Sequence, residues 1–450
     1  MKRHRHQVLH LAAGAAALPA LSRIARAQAY PTRRIAPSIV LAAALFASGA
    51  NAQVTALTHA TVIDGTGAPA ASDVTILMEN GRIRDMGAAP AAPAGATVVD
   101  LAGKFVVPGI INAHGHVGPA PRDPQLRRYA LYGVTTTTSM SFDDDDIAEF
   151  KARQQAGDLR GARILTVKYR FMSPPFHPGS EYKTPAEGRA KVDEIVAQGT
   201  DFVKVWIDAQ NGRFPKVSRD FVAAVFDEAR KFNKLTMAHI VELADARMVV
   251  DEGVDILAHD VRDQEIPDDF IETLKRRNVS VVSTLAREEG MFVYGNADPG
   301  FTEDPFFRAA LTPEQLAKLA GKRAEQAKEA SRPQMLKAFD IDKLNVKKLS
   351  DAGVRLGFGT DSGGEANRYF VQGFSEHRQM DLLLSAGLTP MQIIQAWSKN
   401  NSELLGIDRD FGTLAKGKAA DLLVVARNPL QDIDAMHTID AVYLGGRKFE

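Results

Sequence analysis

Between residues 105 and 360 the chain repeats one rhythm, a short apolar run followed by a helical pattern, and no other feature narrows its choice of fold as far. The runs are Phe105–Asn112, Val134–Met140, Ala162–Val167, Phe202–Ile207, Leu235–His239, Ile256–His259, Val279–Ser283 and Leu356–Thr360. Short, near-continuous apolar runs suit strands covered on both faces, as in parallel sheets. Between them, residues 221–231, 245–253 and 269–277 place apolar side chains on one face at helical spacing. Eight strands with helical crossovers predict a (β/α)8 TIM barrel of about 250 residues or more. A chain of 450 residues has room for that barrel and an accessory domain. Residues 54–107 and the C-terminal segment both read as short strands with turns such as Asn80-Gly81 and Gly445-Gly446. The expected second domain is therefore a small β-sandwich built from both ends, with 53–107 and 412–450 flanking a barrel over 108–411.

Charge separates off one further segment. The net charge is zero, which gives no pull toward nucleic acid or anionic membrane. Residues 1–52, however, carry only basic charges, Lys2, Arg3, Arg5, Arg23, Arg26, Arg33 and Arg34, so the remainder is mildly acidic. Two leader-like patterns stand in tandem there. One runs from Lys2 through an apolar stretch 8–21 to Ala25-Arg26-Ala27. The other runs from Arg33-Arg34 through 35–47 to Ala50-Asn51-Ala52. Each apolar stretch is short for a bilayer. The expectation is export to a periplasmic or secreted location, a mature start near Gln53, and no stable membrane insertion afterwards.

The ends of the predicted strands carry the chemistry, because barrel active sites lie at the C-terminal ends of the strands. The first strand ends in His114-Gly115-His116. Residues i and i+2 of an extended segment point the same way, so both imidazoles can grip one cation. Lys204 stands inside the fourth apolar run, and His239 and His259 end the fifth and sixth. Asp361 follows the eighth within Gly359-Thr360-Asp361-Ser362-Gly363. Each residue alone has an ordinary structural explanation. Five strand ends in register point to a metal site. With no cysteine in the chain, the ligands must be His, carboxylate or a modified Lys.

These motifs, with Val107-Pro108-Gly109-Ile110-Ile111-Asn112 ahead of the histidine pair, Gly387-Leu388-Thr389-Pro390 and the segment 412–422, resemble the amidohydrolase superfamily in its imidazolonepropionase-like and prolidase-like branch. The resemblance implies two divalent metals, zinc first and Mn, Co or Fe as alternatives. His114, His116 and Asp361 would hold the more buried metal, and His239 and His259 the other. Lys204, carbamylated by CO2, would bridge them. A metal-bridging hydroxide would attack an amide C–N bond, with Asp361 shuttling the proton. The substrate would be a small molecule, a dipeptide or N-acyl amino acid first, and the assembly a homo-oligomer. Tyr169, Arg170, His177 and Arg262 are candidate contacts for a substrate carboxylate, and the aromatic residues of 291–307 hint at an apolar substrate group.

Other readings stay open. His239 and Glu242 form an HxxE element like that of mononuclear deaminases and cyclic-amide hydrolases, although Lys204 argues for two metals. Lactone, urea and carbamate hydrolysis fit the same scaffold. An inactive binding protein would be expected to have lost ligands, and here every position is filled.

Overall fold

Period-2 alternation sorts the side chains of the central strands onto two faces, and the computed structural model shows what each face meets. It describes residues 53–88, 90–118, 121–140, 143, 146–172, 184–209, 212–296, 299–363 and 371–450. The leader-like segment 1–52 and His177 lie outside these. On the strand Phe202–Trp206, Val203 and Val205 join the large cluster under the helices, while Phe202 joins an inner cluster with Ile111, Leu165, Met237, Ile256 and Val282. Lys204 lies one step above Phe202 on that inner face. It is register-paired with Met237, and Trp206 is paired with His239.

All eight expected strands occur, and they form a (β/α)8 barrel. Leu356–Phe358, Ser280–Ser283, Ile256–Ala258, Leu235–His239 and Phe202–Trp206 make one parallel arc, extended by Arg170–Phe171. Ile110–Asn112, Val134–Ser139 and Arg163–Thr166 make the other. Separate bonds link the arcs: Asp201 N to Thr166 O (2.8 Å) on one side, and on the other Ala113 N to Phe358 O (3.0 Å), Thr360 N (3.1 Å) and Asp361 N (2.7 Å) to His114 O, and His116 N to Ser362 O (2.8 Å). The helices cover the outside with amphipathic faces. Arg219–Lys231 starts at Ser218, whose hydroxyl accepts from Phe221 N, and buries Phe221, Val222, Val225, Phe226 and Ala229. Among the described residues no helix is long and apolar enough to cross a membrane.

The run expected as one strand, Phe105–Asn112, is two. Phe105–Pro108 pairs antiparallel with Leu422–Val425, and Ile110–Asn112 pairs parallel with the second barrel strand. Gly109 is the joint: a Cβ there would lie 2.3 Å from Thr135 Cγ2 and 2.9 Å from Thr135 Cβ. Phe105–Pro108 belongs to an eight-stranded sheet that takes strands from both ends of the chain. Leu57, Ile76, Ile83 and Val106 share a core with Leu422, Val424 and Tyr443. The alternate residues Val107, Leu423, Val425 and Val442 pack into the main barrel cluster instead. Period 2 thus gives this sheet a core of its own and a face against the barrel.

The long unit after the seventh strand is helical, with Leu285–Gly290, Pro305–Ala309 and Pro313–Ala327. Its aromatic residues are spent on packing. Tyr294 and Phe307 are buried in a satellite core with Tyr132 and Phe374, and Phe292 packs edge-on to Phe339. The aromatic residues that hinted at an apolar substrate group thus also serve as a packed core.

Replacing Gly109 by Ala forces its methyl group into the short, buried Thr135 side chain, and we expect a loss of about 1–3 kcal/mol in denaturant unfolding. Wild-type stability would show that the joint tolerates a side chain.

Candidate metal centre

The C-terminal ends of the strands converge as the spacing requires. Lys204 Nζ lies 3.0 Å from His114 Nε2. Asp361 Oδ1 lies 3.3 Å from His114 Nε2 and 2.5 Å from His116 Nε2. The His259 ring stands 4.3 Å from that of His114 and 4.4 Å from that of His239. Donor atoms of His114, His259 and Asp361 all fall within 4.8 Å of one another. All six side chains are buried.

Burial sets the protonation states. It pushes the Lys204 ammonium down to about 7, with Asp361 pulling the other way and Arg170 adding to the fall. Burial, reinforced by Lys204, pushes His114 down to about 3, and burial holds His239 and His259 well below the usual imidazole range. Burial alone would raise Asp361, but the imidazoles of His116 and His114 outweigh it and keep the carboxyl well below its usual range. Neutral imidazoles beside one carboxylate are a donor set for a divalent cation. His239 Nε2 is buried without a hydrogen-bond partner, with Asp208 Oδ2 at 3.6 Å. Buried polar atoms rarely stay unmet, so these residues fit a metal.

The surroundings orient the ligands. His259 Nδ1 lies 2.6 Å from Thr284 Oγ1, and Asn112 Oδ1 accepts the His114 N–H at 2.9 Å. Asp361 and His259 adopt left-handed backbone conformations, with φ of 55° and 78°. Such values are uncommon outside glycine and collect at functional sites. Gly115 must lack a side chain, since a Cβ there would lie 2.5 Å from Thr137 Oγ1.

The proposed substrate contacts fare differently. Arg262 is buried, with its Nε 3.2 Å from Glu288 Oε2 and its Nη1 donating to Ile240 O (3.3 Å) and Asp260 O (3.2 Å). Tyr169 packs edge-on against Phe171 and beneath Lys191 Nζ. Arg170 faces inward, its guanidinium 5.5 Å from the Trp206 ring, and its charge lowers both Lys204 and His116. Glu242, the acid of the mononuclear reading, caps the fifth helix region half-exposed and accepts from Lys216 Nζ at 2.8 Å. Sequence reasoning missed Arg287. Its Nε lies 3.6 Å from Asp361 Oδ2, its Nη1 donates to Glu288 Oε1 at 2.8 Å, and its side chain stays 24% exposed. The seventh strand offers no metal ligand, but reading one turn past its end would have reached this residue.

The amidohydrolase family profile matches residues 105–448, and the chain belongs to the amidohydrolase family. Among curated relatives, dihydroorotase of Geobacter sulfurreducens is 55% identical over 51 residues, 11% of each chain. Ochratoxinase of Aspergillus niger is 24% identical over 266 residues, 58% of this chain and 46% of that one. The matched stretches thus span about a tenth and under half of those relatives. Among solved structures, a candidate prolidase of Bifidobacterium longum superposes with a TM-score of 0.71 at 24% identity, covering 88% of this chain and 94% of the other.

Thr284→Val removes the oxygen beside His259 Nδ1. We expect zinc affinity to fall about 10–100-fold in chelator competition; unchanged affinity would mean that Thr284 does not orient the ring.

Proposed function

We propose that the chain is a binuclear metal-dependent hydrolase of amide bonds, with Lys204 as the bridging carbamate and a carboxylate-bearing substrate such as a dipeptide or N-acyl amino acid. The observation that carries this reading is Lys204 itself. It is 2% exposed, its Nζ is within 3.0 Å of His114 Nε2, and burial makes its uncharged amine accessible near neutrality. That amine can attack the carbon of CO2 and release one proton, which leaves an anionic carbamate with two oxygens. A residue that starts as a cation among metal ligands would repel the metal, and as a carbamate it would bind it. His114, His116 and Asp361 would hold one divalent cation and His239 and His259 the other, with zinc the first choice.

When bound, the metals supply Lewis acidity toward the carbonyl and lower the pKa of water. The protein residues do the rest. Asp361 Oδ1 sits among the ligands and Oδ2 faces Arg287, which places the carboxylate to take a proton from water and return it to the leaving nitrogen. Arg287 and Arg170 bring positive charge to the mouth, which favours a substrate anion over neutral ureas, carbamates or lactones. The engagement of Glu242 with Lys216 supports two metals over one. The relatives named ochratoxinase and prolidase agree with amide hydrolysis. The basic, leader-like residues 1–52 support export with processing near Gln53.

Lys204→Ala should drop metal content from two per chain to one or fewer and lower kcat/KM more than about 100-fold. In wild type, 13C-bicarbonate should give a carbamate carbon signal that the variant lacks. A fully active wild type with no such signal and one metal per chain would defeat the bridging role. Arg287→Met should raise KM for carboxylate-bearing amides about 10–100-fold, the worth of a charge-assisted hydrogen bond, and leave their neutral carboxamide analogues much less affected. Equal changes for both would remove Arg287 from substrate recognition.

A further inference from the structure

We propose that Glu376 is a positioning residue of the metal centre: its buried side chain adds a side-chain clamp to the backbone bonds that join His114-Gly115-His116 to the segment around Asp361, and so fixes their spacing. The proposal rests on the metal-centre reading above. The two segments come from the first and eighth barrel strands, joined at a seam by backbone bonds from Ala113 N to Phe358 O (3.0 Å), from Thr360 N (3.1 Å) and Asp361 N (2.7 Å) to His114 O, and from His116 N to Ser362 O (2.8 Å), which fix the main chain but not the side chains beside the ligands. A metal held jointly by them needs their separation fixed to fractions of an ångström.

Glu376 lies fully buried in the first turn of the helix Phe374–Ser385, directly behind this seam. Its Oε2 accepts the Gly373 N–H at 2.7 Å, which ties it to a helix N-terminus, where the peptide dipoles favour a carboxylate. Its Oε1 is the common acceptor for Asn112 Nδ2 (2.6 Å), Thr360 Oγ1 (2.7 Å) and Ser362 Oγ (2.6 Å). Asn112 comes from the first strand. Ile111 and Ala113 beside it face the inner cluster, so its own side chain turns outward to the helix. With its Oδ1 it fixes the His114 N–H. Thr360 and Ser362 come from the other side of the seam and bracket Asp361, the residue with the left-handed backbone. Thr360 Oγ1 also accepts from Asn112 Nδ2 at 2.9 Å and from Ser362 N at 3.2 Å. One oxygen therefore gathers both sides of the seam. Among the described residues Glu376 has no ion pair, so its bonding capacity goes to these donors and to Gly373.

Glutamine has the same shape but cannot meet both ends. With its carbonyl oxygen toward Asn112, Thr360 and Ser362, its NH2 faces the Gly373 N–H; flipped, the NH2 faces Asn112 Nδ2. Glu376→Gln should therefore keep its fold but lower zinc affinity about 10–100-fold in chelator competition. Its kcat should fall at limiting metal and recover with excess metal, while KM stays unchanged. Thr360→Val, which keeps Glu376 and removes one donor, should give a smaller loss in the same direction. Should Glu376→Gln not fold, Thr360→Val and Ser362→Ala decide, since each leaves the carboxylate in place. Wild-type zinc affinity in the folded variants overturns the proposal, as does a loss of kcat that excess metal fails to restore. A wild-type chain that binds no divalent metal would instead overturn the metal-centre reading, which separates the two failures.

Discussion

The centre depends on burying an amine that has, among the described residues, one anion near it, Asp361. A fully ionised ammonium removed from water costs many kcal/mol unless it is paired or loses its proton. Lys204 has Asp361 nearby, but its direct neighbour is the neutral His114, and its pKa falls to about 7. The dryness behind that fall is supplied from below. Phe202, Met237, Ile256, Val282 and Leu165 form an apolar floor one step down each strand. The same floor keeps the imidazoles neutral. Packing and chemistry are thus one arrangement: a leakier barrel interior would return the charge to Lys204 and protons to the histidines.

Asp361 and His259 show what the barrel has to hold in place. Left-handed φ at a non-glycine residue costs on the order of 1–3 kcal/mol, and both residues adopt it at the point where their side chains enter the cluster. Bonds from neighbouring strand ends offset that strain. Asp361 N donates to His114 O at 2.7 Å and His259 N to Val282 O at 3.1 Å. The ligand backbone is therefore tied to the very residues it must face, which pre-organises the donors before any cation arrives.

Much of this was legible in the sequence, for definite reasons. Strand positions followed from apolar runs, and His114, His116, Lys204, His239, His259 and Asp361 followed from where those runs end, because a parallel barrel brings all its C-terminal strand ends to one rim. Three features were not legible. The run 105–112 is evenly apolar, so nothing in its hydrophobicity marks the switch between sheets; only the contact of Gly109 with Thr135 does. The aromatic residues of 291–307 read equally as pocket or core, and their packing with Tyr132 and Phe374 depends on residues distant in sequence. Arg262 stood at a strand end like the ligands, and its contact with Glu288 could not be read from the sequence.

Arg262 is joined to the metal centre at one remove. Its Nε meets Glu288 Oε2, Glu288 receives Arg287 Nη1, and Arg287 Nε faces Asp361 Oδ2, so charges alternate from the barrel wall to the Asp361 carboxylate. Exposure rises along the row, from 7% at Arg262 and 12% at Glu288 to 24% at Arg287. A buried guanidinium at one end holds the carboxylate in the middle through its Nε, and that carboxylate holds the outer guanidinium by one edge. Its Nε edge stays turned toward the site. An arginine held in this way has little rotamer freedom left to lose when it meets an anion, and a recognition group gains most from that kind of preorganisation.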